Sequence, residues 1–400
     1  MSKIKILAII PDQFGVGKFR VLDPFRFIGD NYYEEFHVDL TYDTENVDET
    51  FLNYNIVVFH SFIHKLPHEV NVARIKWLKE KGIITIMDID DLWFVDQRHP
   101  LFHHIKNEGI DKKKAELLRL SDYVTTTTPI FAKTLKERLG IKNVLIFPNA
   151  INPEEKQFQP NPIPSDKIRF GWLGGSTHLH DLELMSNGLS SIYYSHKEKV
   201  QLVLCGFDLR GNITEINKET GETTNREIRP EETVWYQYEK FFTDNYKILD
   251  KGYETFLKEF KRIDFPDENQ PYRRRWTEDV SKYATNYNYF DISLAPLVES
   301  MFNANKSQLK VIEAGFHKKA LIASEVEPYT LDLIDGVNAL LVSPRKNHKQ
   351  WAKHMKKLAD NPELVKELSE NLYNTVKDKY SLQKVCKDRV EFFKTLINKN

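Results

Sequence analysis

Between Ala295 and Gly315 the chain reads APLVESMFNANKSQLKVIEAG, an apolar strand end running into a helix that carries Lys306, Ser307, Lys310 and Glu313 early on. Those residue types suit a phosphorylated ligand. Free N–H groups in the first turn of a helix, and the positive end of its dipole, attract phosphate. Lys306 adds a formal charge there, Asn305 and Ser307 can supply hydrogen bonds, and Asn303 lies on the approach. Glu313, two turns along the same helix, can accept from the hydroxyls of a ribose. An ordinary amphipathic helix with Leu309, Ile312 and Phe316 inward would explain the apolar residues, but not the Phe302-Asn303-Ala304-Asn305 approach.

Three other stretches could carry chemistry. RFGWLGGSTHLHDL leads from a strand through Gly174, Gly175 and Ser176 into a helix expected to begin near His178. Glycines there permit close backbone approach, and the helix start can receive phosphate. After the first strand, PDQFGVGKFRVLDPF offers Gly15 and Gly17 for backbone approach and Lys18 and Arg20 for positive charge. A dinucleotide site would need a third glycine opening a helix, and Arg20 stands where it would fall, so NAD binding is set aside. GIITIMDIDDLWF ends a strand with Asp88, Asp90 and Asp91. Such a cluster can bind a metal, or cap a helix while contacting a sugar hydroxyl. His60 and His64 follow another strand, and His99, His103 and His104 follow the acidic turn; single histidines of this kind are more often structural.

The elements that must position these residues alternate. KIKILAII, HVDLTY, NIVVFH, GIITIMDI, DYVTTTT and NVLIFPN are short β-rich runs, with helical text such as VARIKWLKEKG and PIFAKTLKERLG between some of them. That alternation predicts an α/β domain with a parallel sheet covered by helices over residues 1–151. Pro153, Pro160, Pro162 and Pro164 then mark a linker over 152–167. KIRFGWLG, VQLVLCGF, FDISLAPL, KALIASE and NALLVSP repeat the pattern, so a second doubly wound domain is expected over 168–375. Within it, 207–280 reads as an insertion: a hairpin turning near 219–222, then a helical, aromatic-rich excursion around Trp235, Tyr236, Tyr238, Phe241 and Phe242. Helical periodicity fills the tail, with Leu364, Leu368, Leu372 and Val376 on one stripe and Val385, Val390, Phe393 and Ile397 on a later one.

Composition bounds the partners. Four hundred residues with 41% hydrophobic content fit two cored domains. A formal net charge of −1 gives no global attraction to nucleic acid or anionic lipid, so such contacts would need a local patch, for which Lys112–Lys114 and Arg273–Arg275 are the candidates. Cys205 and Cys386 stand far apart, without disulfide or zinc spacing, as in a reducing cytosol. The opening apolar run is too short for a signal peptide or a membrane span. A cytoplasmic protein is expected, with peripheral contact at the inner face of a membrane left open.

The 295–315 stretch, FNxxKSxLKxxE at its centre, resembles the donor-site signature of the large retaining class of GT-B glycosyltransferases, the family 4-like, group 1 enzymes. Glu313 matches the glutamate that holds the nucleotide ribose in that family. A second family glutamate, eight residues earlier and touching the donor sugar, is Asn305 here. The Gly174-Gly175 turn, followed by His178, His180 and Asp181, is similar to the turn that opens the donor domain in a branch making surface polysaccharides. The usual downstream Arg and Lys pair is missing, and Lys306 and Lys310 are the nearest substitutes. SDYVTTTTPIFAKTLKERLG with NVLIFPNAIN resembles the last unit of the family's first domain, with Pro148-Asn149 at the hinge and Asn149 expected as a turn residue.

The resemblance implies two Rossmann-like domains facing a cleft, the first taking the acceptor and the second a nucleotide sugar, with a C-terminal helix (376–400) crossing back to the first. It implies sugar transfer to an acceptor hydroxyl with retention, in polysaccharide or glycoconjugate synthesis, on a glycan, lipid-linked or protein-linked acceptor. No cofactor and no metal are expected beyond the nucleotide-sugar co-substrate, and no nucleic acid. Lys306 with Asp90 or Asp91 would serve catalysis; Gly174, Gly175, Ser176, His178, Asn303, Asn305, Ser307, Lys310 and Glu313 would bind donor; Gly15, Gly17, Lys18 and Arg20 would form a cleft loop. Two alternatives stand beside it: a non-catalytic sugar-nucleotide-binding partner of a transferase, and a nucleotide-sugar epimerase on the same fold.

Overall fold

A computed structural model describes residues 3–42, 49–62, 67–206, 212–217, 220–229, 232–242, 272–276, 278–345 and 347–397. His64 and most of the later part of the 207–280 insertion lie outside these. The chain forms two compact units: Met1–Lys156 with Glu299–Glu313 and Thr375–Asn400, and Gln157–Val298 with Ala314–Asn374. The first unit thus also takes in the segment Glu299–Glu313, and within that unit Ser307 bonds Asn149 and Lys306 pairs with Asp91.

The first unit holds β1 (Ile4–Ile9), β2 (Phe36–Thr41), β3 (Ile56–His60), β4 (Ile84–Asp88), β5 (Tyr123–Thr126) and β6 (Val144–Ile146) in a six-stranded parallel sheet ordered β2-β1-β3-β4-β5-β6. Parallel strands covered on both faces read as unbroken apolar runs. Alternate residues of β1 and β3 serve the two faces: Leu7, Ile9, Val57 and Phe59 join one core, and Ile6, Ala8, Ile56 and Val58 the other. The second core is closed by the helix Leu382–Ile397, which contributes Val385, Val390, Phe393 and Leu396. Phe393 stacks on Phe25 at 5.9 Å.

Strand order reverses beside β1, between β2 and β3, and at such a switch point the loops beyond the carboxyl ends part into a crevice. The segment after β1 enters a helix whose first stretch, Gly17–Leu22, is π-helical and continues as the α-helix Asp23–Asn31. π-Helical turns of this kind recur at functional sites.

The second unit holds β7 (Ile168–Gly174), β8 (Val200–Gly206), a hairpin of β9 (Asn212–Ile216) with β10 (Thr223–Glu227), then β11 (Tyr272–Trp276), β12 (Ile292–Ala295), β13 (Ala320–Ser324) and β14 (Leu340–Val342). Its main sheet is six-stranded and parallel, ordered β11-β8-β7-β12-β13-β14. Here the order reverses beside β7, between β8 and β12. The core gathers Phe170, Trp172, Leu202, Leu204, Ile292 and Ile322 with Trp235, Tyr238 and Phe242 of the helix Val234–Phe242.

The arginine run expected as a surface patch is instead the edge strand β11. Arg274 is 1% exposed, with its Nε 2.6 Å from Glu239 Oε1 and its guanidinium over the Trp235 ring at 4.7 Å. Among the described residues no helix is long and apolar enough to cross a membrane.

Candidate functional site

At the carboxyl ends of β3, β4 and β5 in the first unit, polar groups are buried together. Arg20 is fully buried and forks onto Asp88, with Nη2 to Oδ1 at 2.6 Å and Nε to Oδ2 at 2.9 Å. Thr125 Oγ1 donates to Asp88 at 2.6 Å. Burial pushes the Asp88 carboxyl up, and the charge and hydrogen bonds of Arg20 more than reverse it, leaving its pKa below the usual range. Removing one partner of such a pair strands a buried charge, at a cost of about 3–5 kcal/mol. The remaining reach of Arg20 goes to Phe147 O at 2.6 Å and Asn149 Oδ1 at 3.1 Å.

Next to this pair, His60 Nε2 lies 2.9 Å from Asp90 Oδ1. The following residue, Ser61, takes a left-handed backbone with φ of 61°, a strained geometry for a non-glycine residue at a strand end. Burial raises the Asp90 carboxyl, but His60, Arg20 and Lys114 outweigh it and bring its pKa down to about 2. Asp91 turns the other way, to Lys306 Nζ at 3.5 Å. Lys114 lies over the Trp93 and Phe62 rings at 5.7 and 5.8 Å. Burial lowers its pKa, while Asp90 and Asp91 oppose that. Asp88, Asp90 and Asp91 each face a different side chain, Arg20, His60 and Lys306, and no group of three or more His, Cys, Asp or Glu among the described residues is placed to hold a metal.

The segment Glu299–Glu313 completes this unit. Ser300 caps the short helix Met301–Ala304 by accepting from Asn303 N. Asn305 is buried, its Nδ2 donating to Met301 O at 2.7 Å, while its buried Oδ1 has no hydrogen-bond partner among the described residues. Lys306, half-buried, lies over the Phe302 ring at 4.3 Å. Ser307 Oγ accepts from Asn149 Nδ2 at 3.0 Å. Gln308 O receives Val311 N and Ile312 N, so Gln308 opens the helix Leu309–Phe316, on which Lys310 is half-buried and Glu313 is 5% exposed.

Several of the expected site residues have partners within the chain. Gly15 and Gly17 are in helical backbone, and a Cβ on Gly17 would meet Asp12 O at 2.0 Å, so the chain itself explains that glycine. Lys18 is 8% exposed and held by Asp23 and Glu155, both at 2.9 Å, and Arg20 is consumed by Asp88. Neither presents free charge in a loop. Asn149 is 4% exposed and joins Arg20 to Ser307 rather than serving as a plain turn residue. His99 packs edge-on against Phe302, while His103 and His104 are exposed. Lys114 was named only within the Lys112–Lys114 run, His60 and Asp90 only singly, and Thr125 not at all. Lys114 shared a face with Ile110 and Leu118 at helical spacing, which was a usable signal.

In the second unit the Gly174-Gly175-Ser176 turn follows β7, at that sheet's switch point. A Cβ on Gly175 would meet nothing within 4 Å, so there is room above its backbone. His178 N donates to Tyr238 Oη at 2.8 Å, and His178 Nδ1 lies 2.7 Å from Asp181 Oδ2. Asp181 Oδ1 in turn accepts from Val298 N at 2.8 Å, tying the turn to the end of β12. The helix behind the turn is short, Leu179–Glu183, so its dipole is weaker than expected for phosphate capture. Tyr238, from the aromatic-rich inserted segment, is both core and support for the turn.

No family model matches the chain, and no curated protein matches it. Solved structures do. Sucrose-phosphate synthase from Thermosynechococcus elongatus superposes with a TM-score of 0.67 at 12% identity, covering 100% of both chains. A glycosyltransferase from Rickettsia africae gives 0.62 at 12% identity, again over 100% of both. HepE from Anabaena, in complex with UDP-glucose, gives 0.62 at 10% identity over 98% of this chain and 100% of its own. At these identities the likeness is one of fold, and it agrees with the two six-stranded parallel sheets. The chain has the GT-B fold, with two Rossmann-like α/β domains.

Proposed function

We propose that the chain is a glycosyltransferase that moves a sugar from a nucleotide-sugar donor to an acceptor hydroxyl with retention of configuration, in surface polysaccharide or glycoconjugate synthesis. The observation that carries this reading is the Asn305–Glu313 segment, with half-buried Lys306, Ser307 and Lys310 and a buried Glu313 in a chain of GT-B fold. One solved neighbour, HepE, is in complex with UDP-glucose, and another, a TarM variant, with UDP, fondaparinux and alpha-GlcNAc-glycerol, which supports a nucleotide sugar and a glycan as partners.

In this scheme Glu313 accepts from the ribose hydroxyls, and Lys306, Ser307 and Lys310 receive the diphosphate. Asp91 holds Lys306 until the donor arrives, and Asp90, held by His60, contacts a sugar or acceptor hydroxyl. The bond from the sugar C1 to the diphosphate oxygen breaks, its electron pair leaving on the diphosphate. The acceptor oxygen bonds C1 on the same face and gives its proton to the departing phosphate. Lys306 stabilises the charge that develops there, and preorganised charges of this kind are commonly the largest catalytic contribution.

The test is transfer itself. Purified protein is given UDP- and GDP-sugars with hydroxyl acceptors, diphosphate release is followed, and the product anomer is read by NMR. Acceptor-dependent release with a retained anomer is expected. Isomerisation of the donor without acceptor would identify an epimerase instead. A non-catalytic nucleotide-sugar binder is the second reading, favoured by Asn305 standing where a glutamate was expected; tight donor binding without turnover would identify it.

A further inference from the structure

A continuous line of hydrogen bonds runs from the sheet interior to the ligand-facing segment within the first unit. Thr125 Oγ1 and Arg20 donate to Asp88, Arg20 Nη1 donates to Asn149 Oδ1 at 3.1 Å, and Asn149 Nδ2 donates to Ser307 Oγ at 3.0 Å. The amide of an asparagine can be placed either way round, and here chemistry decides it. A guanidinium only donates, so the atom facing Arg20 is the oxygen, and the amide N–H must face Ser307. Ser307 Oγ therefore accepts from Asn149, which turns its own O–H away from the amide.

We propose that Arg20 and Asn149 are positioning residues that make Ser307 a hydrogen-bond donor to the diphosphate of the ligand. The inference rests on the nucleotide-sugar reading above. Arg20 cannot touch a ligand, being fully buried on Asp88, yet its charge is aligned with the relay. A charged donor polarises each following bond in a low-dielectric interior, strengthening Asn149 and then Ser307 as donors. A hydroxyl free to rotate would offer phosphate either a lone pair or a proton; the relay selects the proton. Asn149 is 4% exposed and bonded at both ends, whereas Ser307 is half-buried and reachable. Arg20 thus supplies charge to the site through two hydrogen bonds rather than by contact.

Asn149→Asp tests this, because a carboxylate keeps the bond to Arg20 but can only accept from Ser307, which reverses the serine proton. UDP and GDP binding to the full chain is measured by isothermal titration, with the melting temperature read alongside. If the wild-type chain binds neither these nor ADP, CDP or dTDP, the nucleotide-sugar reading is overturned and this inference with it. If it binds, Asn149→Asp is expected to weaken Kd about tenfold or more, the worth of one hydrogen bond to a charged group, without lowering the melting temperature. Ser307→Ala should weaken binding similarly, and the double variant no further than the weaker single one, since both remove the same bond. Unchanged binding in Asn149→Asp, or single effects that multiply, would overturn the inference while leaving the proposed function standing. Should Asn149→Asp fail to fold, Ser307→Thr against Ser307→Ala reads the same point: retention with the hydroxyl and loss without it are expected, and equal affinities would overturn it.

Discussion

Lys306 and Asp91 illustrate how the site is set at the scale of single residues. Their pair is 3.5 Å long and the Asp91 side chain is 53% exposed, so the attraction is weak and readily exchanged for a ligand. A diphosphate brings more negative charge than one carboxylate and displaces it. Lys306→Ala is therefore expected to lower transfer turnover by about 10²–10³, the usual loss when one group opposite developing charge is removed. Near-normal turnover would refute its role. Lys18 and Arg20 show the opposite outcome. Their partners Glu155 and Asp88 lie 137 and 68 positions away, so the local sequence offered only Asp23 beside Lys18 and could not show that Arg20 was already spent. Asn149 was hidden for the same reason, since its partner Ser307 is 158 residues distant.

At the scale of elements, β11 was the hardest to read. Tyr-Arg-Arg-Arg-Trp has the composition of a solvated face, and it becomes an edge strand because Glu239 and Trp235 of a separate helix receive Arg274. The C-terminal helix was easier, because its apolar spacing already implied a buried stripe. Phe393, against the rings of Phe25 and Phe36, should cost about 3–5 kcal/mol when cut to alanine. Urea unfolding of Phe393→Ala checks this, and a loss under 1 kcal/mol would mean that the helix is not part of that core.

The end of the helix Leu309–Phe316 adds a pH-dependent contribution. His317 is 1% exposed and stacks on Tyr287 at 4.7 Å. Burial, with Lys319 nearby, brings its pKa down from 6.5 to about 3. Between those two values the unfolded chain holds a proton that the folded chain does not. Stability therefore rises with pH across that window and is lost as the pH falls through it. Urea midpoints measured from pH 7 to pH 4 should fall less steeply in His317→Phe than in the wild-type chain. Parallel slopes would show that another group carries the acid sensitivity.

For the whole molecule, ligand linkage is the most direct measurement. A nucleoside diphosphate or nucleotide sugar at about a hundred times its Kd should stabilise the chain by about 2.7 kcal/mol. A thermal-shift screen should show this for one nucleotide family and show it disappear in Glu313→Ala. No shift with any nucleotide would remove the donor site from consideration.

The sequence by itself determined the two parallel sheets, because strands covered on both faces must be apolar along their length, and that signal is local. It also determined which residue types gather around Lys306 and Glu313, and where the second sheet begins after the prolines. Tertiary structure alone decided which charges remain available to a ligand. Burial and distant partners neutralise Lys18, Arg20, Asp88 and Arg274, while leaving Lys306 and Ser307 half-buried. A charge is spent or available according to what lies within a few ångströms, and folding sets that distance between residues far apart in the chain.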